Sequence, residues 1–114
     1  ATLRDYGRFG QFFLEGGMID GVSILPAGWT REATSPSTLK DGSALAYGYM
    51  WWTGWTGPSA ADGAYAAVGI QGQHIYINPT RKVVIVTFGA QPKPVGREPI
   101  DAMVFFDAVA ASLD

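Results

Sequence analysis

The pattern of apolar and polar positions divides the chain into a helical start, a strand-rich middle and a helical end. Leu3, Tyr6, Phe9, Phe13 and Leu14 fall near helical spacing, with Arg4, Asp5, Arg8 and Gln11 on the other side. Thr2 stands where an N-cap belongs, Asp5 at the N3 position is a loose capping-box match, and Gly16-Gly17 supplies a left-handed stop. Gly7 and Gly10 cost this helix about 1 kcal/mol each in propensity, which predicts close packing against another element. Asp20-Gly21 signals a turn and Val22 to Leu25 a short apolar run. Pro26 is placed to open a short second helix carrying Trp29. Residues 34–43 are rich in Ser, Thr, Pro, Asp and Gly and read as a surface loop.

Strand-like runs follow. Residues 47–52 are aromatic, and alternation would put Tyr47, Tyr49 and Trp51 on one face and Gly48, Met50 and Trp52 on the other. Residues 55–63 form a Gly/Pro/Ser-rich loop. Residues 65–71 are a run of small residues, and Gly72-Gln73 connects them tightly to residues 74–78. Pro79-Thr80-Arg81 turns the chain into residues 83–89, which are β-branched and almost wholly apolar, so these last two runs form a hairpin. Pro99 opens a terminal helix reaching about Leu113, with a broad apolar stripe from Ile100, Met103, Val104, Phe106, Val109, Ala110 and Leu113. The fold class is therefore α/β (α+β): an antiparallel sheet with flanking helices. So apolar a sheet calls for cover on both faces, more than these helices supply, so further sequence is expected to complete it.

Composition narrows the function. The 114 residues suffice for one small domain. With 47% hydrophobic and 16% charged residues, the chain is not a disordered tail. Net charge is −2 and no Lys/Arg run occurs, which disfavours nucleic acid and anionic membrane surfaces. No apolar stretch is long enough to span a membrane. Without Cys there is no disulfide, thiolate metal site or cysteine nucleophile, and a single His makes a His-rich metal site impossible. No Ca-loop spacing appears. The predicted set of metals and cofactors is empty, and the compartment stays unassigned. The first residue is Ala and no signal peptide is evident, so the chain is expected to begin inside a larger gene product or after processing.

The most informative stretch is Gly69-Ile70-Gln71-Gly72-Gln73-His74-Ile75-Tyr76-Ile77-Asn78-Pro79, followed by Val83-Val84-Ile85-Val86. Gly69 and Gly72 let another group approach the backbone closely. An N–H exposed at such a strand edge can donate to a developing oxyanion.

This stretch resembles the third active-site strand of the serine β-lactamase and penicillin-binding superfamily. The likeness is greatest to the esterase-like branch that includes the aminohexanoate-dimer (nylon-oligomer) hydrolases. The opening Thr2-Leu3-Arg4-Asp5-Tyr6-Gly7-Arg8-Phe9-Gly10 and the run Tyr47-Gly48-Tyr49-Met50-Trp51-Trp52 are similar to that branch too, so the resemblance covers nearly the whole chain in order. It implies a partial β-lactamase/transpeptidase-like fold and places residues 1–114 in the C-terminal portion of such a domain. Val68-Gly69 would align with the last two residues of the Lys-Thr-Gly triplet, and Ile70 would give its backbone N–H to the oxyanion hole. Val68, Gln71, Trp55 and His74 would border the substrate. The chain departs from the family in having no Lys beside Gly69, which points toward ester or linear amide substrates. The family's Ser-x-x-Lys and Tyr-x-Asn elements would lie upstream of Ala1, so the segment alone is expected to be inactive. The implied chemistry is acyl transfer through a serine acyl-enzyme.

Each signal has a plainer reading. Ser37-Thr38-Leu39-Lys40 is formally a Ser-x-x-Lys, but that motif needs a helix to bring Lys to Ser, and here it sits in a loop. His74 fits a pocket residue or, more simply, a hydrogen-bonded strand histidine. The aromatic residues are core by default, Trp55 being the best pocket wall. Gly69-Ile70-Gln71-Gly72 matches the Gly-x-x-Gly of a KH domain, but the charge and flanking strands do not. The alternative function is a non-catalytic ligand-binding module with an aromatic surface. The partners called for are a small ester or amide substrate and the N-terminal portion of the same enzyme. Open strand edges also predict pairing into a dimer.

Overall fold

The computed structural model describes residues 1–96 and 99–114. Helix α1 (Leu3–Leu14) opens with a complete capping box: the Thr2 side chain accepts from the Asp5 N–H, and the Asp5 carboxylate accepts from the Thr2 N–H. Two left-handed glycines, Gly16 and Gly17, end it. Two minimal antiparallel ladders follow, β1 (Met18–Ile19) with β2 (Val22–Ser23) and β3 (Ser37–Thr38) with β4 (Ala44–Leu45). The short helix α2 (Trp29–Ala33) lies between them and α3 (Gly57–Ala61) after them.

The main sheet has three antiparallel strands in the order β5 (Tyr65–Gly69), β6 (Gln73–Asn78), β7 (Val83–Thr87). Both faces carry helix. On one, Gly10 of α1 approaches so closely that a Cβ there would lie 2.5 Å from Val84 Cγ1 and 3.1 Å from Ile75 Cγ2. This face buries Tyr65, Ile77, Trp51 and Ala33, with Phe13 and Leu14 packed against them. On the other, α4 (Ala102–Ala111) stacks Phe106 on Tyr76 at 4.7 Å, above Ala64 and Ala66. Register explains the division: Ala66, Tyr76 and Ile85 are cross-strand neighbours, as are Tyr65, Ile77 and Val84.

The hairpin, the α1 caps and the mixed α/β class agree with the sequence pattern. Four details differ. Residues 47–52 are not a strand. The backbone reverses there, with Met50 at φ +69° and a bridge between Tyr47 and Trp52. The predicted alternation therefore fails: Trp51 is buried, whereas Trp52 swings out to meet Tyr47 at 4.6 Å. A Cβ added at Gly7 would meet nothing within 4 Å, so only Gly10 serves close packing. The loop at 55–63 contains α3, and the surface loop at 34–43 contains β3. Pro26 and Pro99 precede their helices by a few residues. Pro26 instead accepts a turn bond from Trp29, and Asp101 caps α4 by accepting from the Met103 and Val104 N–H groups. Among the described residues no helix is long and apolar enough to cross a membrane.

Candidate active-site edge

The candidate site is built on the outer edge of β5. Ala66 turns both backbone groups outward to Trp52, its C=O accepting at 2.8 Å and its N–H donating at 3.0 Å. Backbone groups alternate in direction along an antiparallel strand. The Val68 N–H and C=O therefore address this same outer edge. Gly69 is still extended (φ −106°, ψ 169°), so the alternation carries through to the Ile70 N–H. That edge is bridged at Ala66 by Trp52, and β5 is the outermost strand of its sheet.

Beyond Ile70 the chain makes a one-turn 3-10 corner, Ile70–Gly72, with Gln71 in the left-handed region (φ 60°, ψ 27°). The corner is tied down from outside. The Gln71 N–H donates to Pro94 O at 2.9 Å, and the Gln91 N–H donates to Gln71 O at 3.0 Å. Thr87 Oγ1 donates to Gly72 O at 3.1 Å. The close approach expected at the two glycines is real, and the groups that approach are the protein's own. A Cβ on Gly69 would lie 3.0 Å from Gln73 Cβ, and one on Gly72 would lie 2.8 Å from Gln91 Cγ.

On the α4 side, Val68 and His74 face each other across β5 and β6. Together with Trp55, Met103 and Phe106 they line a cleft of about 410 Å³. A neighbouring apolar hollow of about 380 Å³ lies between Val68, Trp55, Trp52 and Ala46. A third, of about 360 Å³, reaches round to Gly69, Tyr6 and Phe88. The structure thus brings Val68, Trp55 and His74 together and sets Gly69 at the rim. Ile70 and Gln71 line none of these three hollows. Their side chains are exposed, so Ile70 could take part only through its backbone.

His74 is both held and exposed to the cleft. Its Nδ1 lies 3.1 Å from Thr87 Oγ1 and its ring meets the Phe106 ring edge-on at 5.4 Å. Ser37 belongs to β3 and donates to Tyr47 O at 2.6 Å, so Ser37 and Lys40 do not share a helix. Trp55 Nε1 and Thr53 Oγ1 are buried without a hydrogen-bond partner among the described residues. Among those residues no group of three or more His, Asp or Glu gathers to hold a metal ion.

Beneath the cleft lies a polar network that sequence patterning did not reveal. The Ser59 hydroxyl is fully buried, donates to Asp107 Oδ1 at 2.5 Å and lies 2.8 Å from the Tyr76 hydroxyl. Asn78, also fully buried, donates to Asp62 Oδ2 at 2.9 Å and to the Tyr76 hydroxyl at 3.1 Å, and accepts from the Arg81 N–H at 2.9 Å. Arg81 pairs with Asp62 at 3.1 Å and with Asp114. The Asn78 amide, then Arg81, hold the Asp62 carboxyl below its ordinary range. Burial alone pushes Tyr65 up to about 12. The network joins α3, β6 and α4, which fixes one wall of the cleft against the sheet. Its signal in the sequence, single polar residues in apolar surroundings, is too common to single out.

No family model matches the sequence. The chain is 31% identical over 105 residues to the 6-aminohexanoate-dimer hydrolase of Paenarthrobacter ureafaciens, a match taking in 82% of this chain and 25% of that protein. Among solved structures it superposes on a protein of Bacillus anthracis provisionally designated a 6-aminohexanoate-dimer hydrolase, with a TM-score of 0.75 and 29% identity. That superposition covers 99% of this chain and 29% of the other. The chain thus has hydrolase homologues by sequence and by fold, and it spans about a quarter of the length of the curated relative it matches.

Proposed function

We propose that residues 1–114 are the C-terminal portion of a β-lactamase-like serine hydrolase domain, cleaving carboxylic esters or linear amides through an acyl-enzyme. In this reading the nucleophilic serine and its Lys and Tyr partners belong to the larger part of the protein. The present segment contributes the oxyanion-binding strand, through the Ile70 N–H, and one wall of the substrate cleft, through Val68, Trp55 and His74. Gly69, without a side chain, lets the neighbouring strand pack closely over the strand end that carries this amide.

The observation that carries the reading is the direction of the Ile70 N–H. The strand alternation fixed by the Ala66–Trp52 pair sends it to the outer edge of β5, where a donor can meet negative charge growing on a carbonyl oxygen. A donor so placed is worth about 10²–10³ in turnover. The name of the sequence relative supports a substrate with a linear amide, and the absence of Lys next to Gly69 agrees with that.

The test compares the complete protein with the 114-residue chain. A fluorophosphonate probe should label the complete protein at one serine, and p-nitrophenyl butyrate should be turned over with an acyl-enzyme burst. The 114-residue chain should show neither. Turnover by the short chain, or a complete protein inert to both reagents, would defeat the proposal. Saturable ligand binding by the short chain with no hydrolysis by the complete protein would favour a binding module.

A further inference from the structure

We infer that Gln73 is a positioning residue that aims the Ile70 amide; the inference rests on the oxyanion role proposed above for that amide. Gln73 begins β6 directly opposite Gly69. Because Gly69 has no side chain, the Gln73 side chain lies across it, its Cβ and Cγ at 3.0 and 3.4 Å from where a Gly69 Cβ would be. From there the carboxamide reaches Gly89, just past the end of β7. Nε2 donates to Gly89 O at 2.6 Å, and the Gly89 N–H donates back to Oε1 at 3.1 Å. Nε2 also lies 3.4 Å from Gln71 O.

One side chain thereby pairs with a backbone peptide as a strand would, and joins the end of β7 to the corner that follows Ile70. Gly89 is glycine for the same reason. A Cβ there would lie 2.7 Å from Gln71 O and 2.8 Å from Gly72 O, both backbone atoms of the corner. Gln71 itself is held in a left-handed conformation that a non-glycine residue adopts only under outside constraint. The corner's position therefore depends on contacts from Gln73, Gly89 and residues 91–94. The anchored Gln71 backbone on one side and extended Gly69 on the other hold Ile70 between two fixed points, which limits the dihedral freedom left to its N–H. Gln73 touches no reacting atom in this scheme; it acts through the amide it orients.

The experiment uses the complete hydrolase, p-nitrophenyl butyrate, and the variants Gln73→Met, Gln73→Glu and Gly89→Ala. Methionine keeps the length that packs over Gly69 and removes both hydrogen bonds. Glutamate keeps the acceptor but sets a carboxylate against the Gly89 and Gln71 carbonyl oxygens. We expect kcat to fall by about tenfold or more with KM within about twofold, because the amide acts on the transition state. The rate of fluorophosphonate labelling should fall in parallel. Circular dichroism at the assay temperature establishes that each variant is folded. Folded Gln73→Met and Gln73→Glu enzymes that melt earlier yet keep the parent kcat and labelling rate would overturn the positioning role and leave the oxyanion reading intact. A parent enzyme that neither hydrolyses nor labels would overturn that reading, and this inference with it.

Discussion

Two glycines three residues apart in α1 should respond differently to the same substitution, Gly7→Ala stabilising and Gly10→Ala not. Gly7 and Gly10 both lie inside the helix, where glycine costs about 1 kcal/mol relative to alanine. A Cβ at Gly7 meets nothing within 4 Å, so Gly7→Ala gains that propensity without a steric charge against it. At Gly10 the new methyl would stand 2.5 Å from Val84 Cγ1, about an ångström inside a normal carbon–carbon contact. Ile75 lies on the central strand β6 and Val84 on its neighbour β7, both packed against the core under α1, and overpacking of this kind costs about 1–3 kcal/mol. Subtracting the propensity gain leaves Gly10→Ala roughly neutral to 2 kcal/mol destabilising, and the two variants should differ by about 1–3 kcal/mol. For a domain of 114 residues that separates their melting temperatures by roughly 4–13 °C. Urea melts of the parent and both variants, with unchanged slope, give the numbers. Adding Val84→Ala to Gly10→Ala should recover part of the loss, as the clash is with that side chain. Gly10→Ala as stable as Gly7→Ala would refute the close packing of α1 on the sheet.

Three further outcomes follow from the structure. Asn78→Ala removes a fully buried amide that satisfies Asp62, Tyr76 and the Arg81 N–H, and should cost about 2–4 kcal/mol in denaturant melts. Asp62 has a lowered pKa in the folded state, so its contribution is complete above its ordinary value of 3.8 and disappears as pH falls through the lowered folded-state value; Asp62→Asn should flatten the melting temperature against pH in that acidic window. The open edge of β5 and exposed Val68, Ile70 and Trp52 should drive self-association of the 114-residue chain, and a monodisperse monomer by light scattering would count against this.

How much the sequence disclosed varied by element. The α1 caps, the β6–β7 hairpin and the apolar last helix were legible because each is a local pattern with a local cause. The region around Met50 was not. Its reversal depends on Gly48, where a Cβ would fall 2.0 Å from Ala33 O, and on a methionine in the left-handed region, which no propensity predicts. The strand edge at Gly69-Ile70 was visible through its glycines, but their purpose was seen only in part. Gln73 reads in the sequence as half of a tight Gly72-Gln73 connection, whereas it is the first residue of β6. Its partner, Gly89, lies 16 residues away, a pairing that exists only once the sheet has formed. The Ser59–Tyr76–Asp107 cluster escaped for the same reason, since Ser59 and Asp107 are 48 residues apart.

The tie between Gln71 and residues 91–94 bears on how this protein can be changed. Surface connections rich in proline usually tolerate insertions and length drift, and a protein engineer would pick Gln91-Pro92-Lys93-Pro94 as a permissive splice point. Here both backbone groups of Gln71 are anchored to that stretch. A single added residue would shift the anchor and be felt at the turn that follows the β5 edge. In a directed-evolution library, this outlying loop should tolerate side-chain exchange freely and changes in length hardly at all.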